Sequence, residues 1–152
     1  MKFKFKIQQY QTDAVENTVA VFTGQPSHRV AEYRRDMGSH KGQQQFQYEN
    51  ETGFRNHHIE LDGRTLLKNI NAIQNLYDIT PSATLSKGVG AVNLDIEMET
   101  GTGKTYVYIK TMFELNKQYG WSKFIIVVPS IAIREGVAKS FKMLEEHFME
   151  YY

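Results

Sequence analysis

Residues 92–105 constrain this chain more than any other stretch, reading Val-Asn-Leu-Asp-Ile-Glu-Met-Glu-Thr-Gly-Thr-Gly-Lys-Thr. Val92, Leu94, Ile96 and Met98 alternate with polar residues, the period of a strand with one buried face. A Gly-rich turn follows, and then Lys104 and Thr105 open an apolar stretch free of Gly and Pro up to Leu115. Asn116 to Gly120 supplies a helix end. Strand, glycine turn and helix in that order form a cradle for phosphate groups. Gly101 and Gly103 lack the Cβ that would keep backbone N–H groups from curling around an anion. The helix N-terminus adds about half a positive charge at the same place. Lys104 is positioned for the β and γ phosphates of a nucleoside triphosphate, and the Thr105 hydroxyl for Mg²⁺. The strict phosphate-loop pattern asks for glycine at position 98, where Met98 stands.

The flanking segments extend this pattern. Phe124 to Val128 is a continuous apolar run ending at Pro129, the signature of a strand buried on both faces. Ser130 can cap the next helix, whose apolar stripe runs through Ile133, Val137, Phe141, Leu144 and Phe148. Strand, loop, helix, strand and helix predict a doubly wound α/β domain with the 92–98 and 124–128 strands parallel in one sheet. Ligands of such folds sit at the carboxyl ends of the strands, where Gly101 to Thr105 and Pro129 to Ser130 fall.

Upstream, Lys2 to Ile7 alternates lysines with Phe3, Phe5 and Ile7, which predicts a short edge strand. Tyr10 to Phe22 has helical spacing through Ala14, Val15, Thr18, Val19 and Phe22, and Gly24 and Pro26 end it. Residues 24–60 carry Gln43-Gln44-Gln45 and little periodicity, and read as a polar excursion with a hairpin near Phe46 to Phe54. Arg64 to Tyr77 returns to helical spacing through Leu66, Leu67, Ile70, Ile73 and Leu76.

Composition narrows the function. The 152 residues are 41% apolar with a formal charge of +1, so no global basic field marks a nucleic-acid binder and any such contact is local. The chain has no cysteine, which excludes disulfides and thiolate metal sites and fits the reducing cytoplasm. Its apolar runs are far too short for a membrane span.

Three segments together resemble a known family. Tyr10-Gln11-Thr12-Asp13-Ala14-Val15 is similar to the adenine-recognition motif of superfamily 2 helicases and translocases. Met98 to Thr105 resembles their first helicase motif, and Ile125 to Val137 the next, which touches the nucleic-acid backbone. Met-Glu before the loop threonine, with Pro-Ser-Ile-Ala-Ile-Arg-Glu-Gly after the strand, most resembles the restriction (Res) subunit of type III restriction–modification systems. The resemblance covers residues 1–22 and about 92–148.

It implies that residues 1–152 are one incomplete ATP-binding lobe of a P-loop NTPase (RecA-like) motor, a parallel sheet with flanking helices. The implied function is that of an ATP-dependent DNA translocase and endonuclease working on double-stranded DNA with a methyltransferase subunit. Thr100, Gly101, Thr102, Gly103, Lys104 and Thr105 would hold ATP with Mg²⁺, Gln11 would read adenine, and Ser130 and Arg134 would touch the DNA backbone. The paired acids, second motor lobe, arginine finger and nuclease domain of such enzymes are not found within these residues. The expectation is therefore a fragment that does not hydrolyse ATP alone. Another superfamily 2 DNA or RNA helicase fragment, or a non-enzymatic remnant, are the alternatives.

Blander roles stand beside these. Gln11 can be an ordinary helix residue, Ser130 a cap alone, and Arg134 half of a surface ion pair. His57-His58, near His40, can be surface histidines rather than metal ligands. Phe46, Tyr48 and Phe54 can pack a small hairpin or stack on bases.

Overall fold

Val15 and Val19 lie one helical turn apart, and both side chains are buried. They form the inward stripe of α1 (Gln9–Ala20), which the chain leaves through a turn that ends at Gly24 with a positive φ of 95°. The computed structural model describes residues 6–28, 56–86, 88, 90 and 92–152. Within them α1 is followed by α2 (Gly63–Leu76), α3 (Lys104–Tyr119) and α4 (Ile131–Met149). The expected edge strand at 2–7 falls mostly outside the described residues, and the hairpin near 46–54 entirely so.

Three helix ends have a clear chemical cause. The Asp62 carboxylate accepts from the Thr65 N–H at 2.7 Å and caps α2. Hydrogen bonding from the Thr65 side chain, and then from its N–H, holds the Asp62 carboxyl below the usual carboxylate range. Ser130 Oγ caps α4 by accepting from the Ile133 N–H at 3.3 Å. Gly120 closes α3 in the left-handed region at φ 78°, its N–H donating to the Asn116 carbonyl at 2.8 Å.

The main core joins Val15, Val19 and Phe22 of the α1 region to Leu66 of α2, Val107 and Tyr119 of α3, and Trp121. Phe22 meets Trp121 edge-on, with ring centroids 5.0 Å apart. A smaller cluster seats Leu144 and Phe148 of α4 on Ile109 of α3. Only this second half of the expected α4 stripe is buried, since Ile133 and Phe141 are exposed.

The expected α/β fold is overturned. Among the described residues the structure is helical, with no strand and no sheet. Residues 92–98 and 124–128 make no ladder with each other or with any described segment. The alternation in 92–98 is nevertheless meaningful: Val92, Leu94 and Met98 pack against the main core, while Ile96 is exposed. The run at 124–128 was expected to be buried on both faces, yet Ile125 is 91% and Val127 88% exposed. The physical reason is that a strand needs a neighbour about 4.8 Å away to take its N–H and C=O groups. β-branched residues favour a pleated, half-buried surface but cannot supply that partner. Here α3 covers these segments from one side. A groove of about 460 Å³ runs between Met98, Val107, Met112 and Ile126.

Among the described residues no helix is long and apolar enough to cross a membrane.

Leu66 is 1% exposed in the main core, whereas Leu76, on the same helix, is 72% exposed. Leu66→Ala is expected to lower unfolding stability by about 2–5 kcal/mol through lost burial and a residual cavity. Leu76→Ala is expected to stay within about 0.5 kcal/mol. Urea unfolding of the two variants, followed by far-UV circular dichroism, measures the contrast.

Candidate nucleotide site

The loop before α3 is shaped by two glycines of different need. Gly101 has φ 83°, with open space where a Cβ would stand, so its requirement is conformational. Gly103 has φ 87°, and a Cβ there would lie 2.5 Å from Gln11 Nε2, so its requirement is also one of room. Between them Thr102 folds back. Its hydroxyl donates to the Glu99 carbonyl at 2.6 Å and its N–H to the same oxygen at 3.4 Å. Lys104 lies across the turn, its Nζ donating to the carbonyls of Met98 at 2.7 Å and Glu99 at 2.9 Å. The ammonium is thus held by neutral acceptors and stays exposed.

The first turn of α1 grips this loop. Gln11 Nε2 donates to the Thr102 carbonyl at 2.8 Å, and the Tyr10 hydroxyl donates to the same oxygen at 3.1 Å. A glutamine amide carries two N–H donors and one carbonyl acceptor. Gln11 therefore keeps a donor and its Oε1 beyond the loop contact. Beside it opens a cavity of about 270 Å³, lined by Gln11, Gly103, Thr105 and Tyr106 together with Ser140 and Met143 of α4. Tyr106 is fixed there by a 3.1 Å hydrogen bond with His147 Nε2 and by stacking on Phe148 at 5.3 Å. Burial pushes the Tyr106 phenol above its ordinary pKa, so it stays protonated through neutral pH.

The site residues do not all share one place. Gln11, Thr102, Gly103 and Thr105 come together around the loop and the smaller cavity. Lys104 lines the 460 Å³ groove instead. Thr100 is an exposed turn residue ahead of the first loop glycine. Ser130 and Arg134 lie apart at the start of α4, where Ser130 caps the helix and Arg134 pairs with Glu135 at 3.0 Å, both side chains exposed. Among the described residues no group of three or more His, Asp or Glu is placed to hold a metal. His57 stacks on His28 with ring centroids 4.2 Å apart, and His28 meets Glu60 at 2.6 Å. His40, Phe46, Tyr48 and Phe54 lie outside the described residues.

Tyr10, Tyr106, Ser140 and Met143 are the residues that sequence reasoning missed. Tyr10 had a signal, since it sits beside Gln11 in the same motif. Met143 had a weaker one, as the neighbour of Leu144 in the apolar stripe.

The model of the family "Type III restriction enzyme, res subunit" matches residues 4–151. The chain belongs to this Res-subunit family. Over 99 residues, 64% of its length, it is 40% identical to the Type III restriction-modification enzyme EcoP15I Res subunit of Escherichia coli. Over the same length it is 41% identical to the EcoPI Res subunit of Escherichia phage P1. Each match covers 10% of the relative. The StyLTI Res subunit of Salmonella typhimurium is 51% identical over 63 residues, 40% of this chain and 6% of that protein. The chain thus spans about a tenth of the length of the Res subunits it matches.

In this Res-family chain Gly103→Ala is expected to cost about 1–2 kcal/mol from the left-handed backbone alone. It also displaces the Gln11 amide from Thr102. Chemical denaturation gives the first quantity. Faster amide hydrogen exchange in residues 99–105 reports the second.

Proposed function

We propose that residues 99–105 and Gln11 form the ATP site of a Res motor, the DNA-dependent ATPase and translocase part of a type III restriction endonuclease. The observation that carries this reading is the 2.8 Å bond from the Gln11 amide to the Thr102 carbonyl. It brings a glutamine, whose amide can pair with the N6 and N7 edge of adenine, against a glycine-shaped loop at the N-terminus of a 16-residue helix. Family membership supports the same reading, because the relatives are Res subunits of type III restriction–modification enzymes.

The residues fit a nucleoside triphosphate. Gly101 leaves open space above the loop, and the backbone N–H groups of Gly103 and Lys104 stand at the N-terminus of α3, where its dipole favours an anion. Lys104 exchanges two neutral carbonyl acceptors for phosphate oxygens, and such charge-assisted bonds are roughly twice as strong as neutral ones. Thr105 offers one hard oxygen donor for Mg²⁺, the type of ligand that ion takes. With the nucleotide bound, the magnesium ion would neutralise charge on the phosphates. Gln11 accepts from the adenine N6 amino group through Oε1 and donates to N7 with its remaining N–H, while the other N–H stays on Thr102.

On this reading Ser130 and Arg134 contact a DNA phosphate from the start of α4. The arrangement is of the backbone-positioning type and carries no sequence information. The partners are double-stranded DNA and the methyltransferase subunit of the same system, and the work is done in the cytoplasm where that DNA lies.

Lys104→Ala is expected to weaken ATP binding about ten- to a hundredfold, the loss of a charge-assisted contact of roughly 1.5–3 kcal/mol. Titration calorimetry with Mg-ATP on folded protein measures it, and unchanged affinity removes Lys104 from the site. A separate expectation concerns base choice. The chain should prefer ATP to GTP, because guanine presents O6 where adenine presents N6. Competition binding before and after Gln11→Ala should show that preference vanish. Its survival in the variant would leave Gln11 an ordinary helix residue.

A further inference from the structure

We infer that α4 supplies the second wall of the nucleotide's base slot, with Met143 as the residue that meets the face of the purine ring. The inference rests on the ATP reading above and deepens it. Its ground is the 270 Å³ cavity that Gln11, Gly103 and Thr105 share with Met143, Ser140 and Tyr106. This cavity touches the phosphate loop on the side away from Lys104, which lines the other groove. It is smaller than the ~300–1,000 Å³ that hold whole drug-sized ligands. It therefore takes one end of a nucleotide and leaves the phosphates at the loop mouth. Tyr106, Met143 and Leu144 give it apolar walls for a base face, with Lys6, Thr105 and Ser140 as further polar lining beside Gln11. The free donor and acceptor of Gln11 stand at its edge for the base's hydrogen-bonding groups.

Met143 suits the task by chemistry and by mounting. A thioether sulfur is polarizable and makes favourable contacts with aromatic rings. The side chain is 42% exposed, so it is not committed to the core. Its neighbour Leu144 is buried on Ile109 of α3, and Phe148 is held in the same cluster. α4 is thus clamped to the helix that carries the loop, and Met143 is presented at a fixed place. Ser140, one turn earlier, lines the same cavity, its hydroxyl donating to the Gly136 carbonyl at 2.9 Å.

The test compares two ligands by titration calorimetry on the full 152-residue chain: Mg-ATP, which has a base, and Mg-tripolyphosphate, which has none. Met143→Ala should weaken ATP about two- to tenfold, the range of a lost sulfur–aromatic contact. Tripolyphosphate affinity should not move, and Met143→Leu should keep most of the ATP affinity. Far-UV circular dichroism checks that α4 persists in each variant. Lys104→Ala serves as the reference and should weaken both ligands. ATP binding unchanged in Met143→Ala, with Lys104→Ala still damaging, overturns the base slot and leaves the phosphate site standing. Equal weakening of both ligands by Met143→Ala also overturns it, because the effect is then not on the base. If Lys104→Ala changes neither ligand, the ATP reading falls and the base slot falls with it.

Discussion

The packing of α1 on α3 holds this structure together and sets the geometry of its site. Val15 and Val19 bury against Val107 and Tyr119, and the Tyr119 hydroxyl donates to the Val19 carbonyl at 3.3 Å. Each buried side chain of this kind contributes about 1.5–3 kcal/mol relative to exposure. One turn further toward the N-terminus of the same helix, Tyr10 and Gln11 reach the Thr102 carbonyl. The apolar contact thus fixes the distance at which the polar one forms. A change that slid α1 along α3 by one residue would displace it by about 1.5 Å. That is enough to take Gln11 out of hydrogen-bond range of the loop.

Side-chain amides do elsewhere what sheet ladders do in other folds. Gln25 is buried, accepts from the Glu60 N–H at 2.8 Å and donates to the His58 carbonyl at 3.2 Å, binding residues 58–60 to the end of α1. Asn56 donates to the Lys123 carbonyl at 2.7 Å and accepts from the N–H groups of Ser122 and Lys123. Asn69 donates to the carbonyls of Val21 and Thr23 at 3.0 Å each. One amide presents a donor and an acceptor with the spacing of a peptide group, so it can pair with an extended backbone that has no strand beside it. Each such bond adds a net of about 0.5–1.5 kcal/mol, and its loss in a buried place costs more than that.

These amides also show where the sequence was readable. The helices were, because their signals are local: apolar spacing at Val15, Val19, Leu66 and Leu144, the Ser130 cap, and the Gly24 and Gly120 stops all act within a few residues. The sheet was not. Alternation at 92–98 reports which side chains face the core, and Val92, Leu94 and Met98 do face it. It does not report whether the backbone has a neighbour to pair with, since that neighbour can lie anywhere in a chain. The unbroken run at 124–128 is ambiguous for the same reason. Its composition suits two-sided burial, but burial depends on what other segments deliver. The loop glycines were legible from their lack of a Cβ. The bond from Gln11 to Thr102 spans 91 positions and had no signal except the resemblance of one short motif.

On the proposed ATP reading, Lys104 and Gln11 serve a ligand from opposite sides of the loop. The side chains that would face a phosphate or a base each already have an acceptor within the loop: Met98 and Glu99 for Lys104, Thr102 for Gln11 and Tyr10. These are neutral carbonyls, so they keep the donors oriented without holding them tightly. Lys104 can leave for a charged oxygen with a gain in bond strength. Gln11 need not leave, because its second N–H and its Oε1 are still available. The Thr102 carbonyl therefore stays gripped while Lys104 moves. On that reading, a loop anchored on one flank and released on the other closes on phosphates without losing the geometry of the proposed base slot. Gly103 makes this possible, because any larger residue would stand where the Gln11 amide must pass.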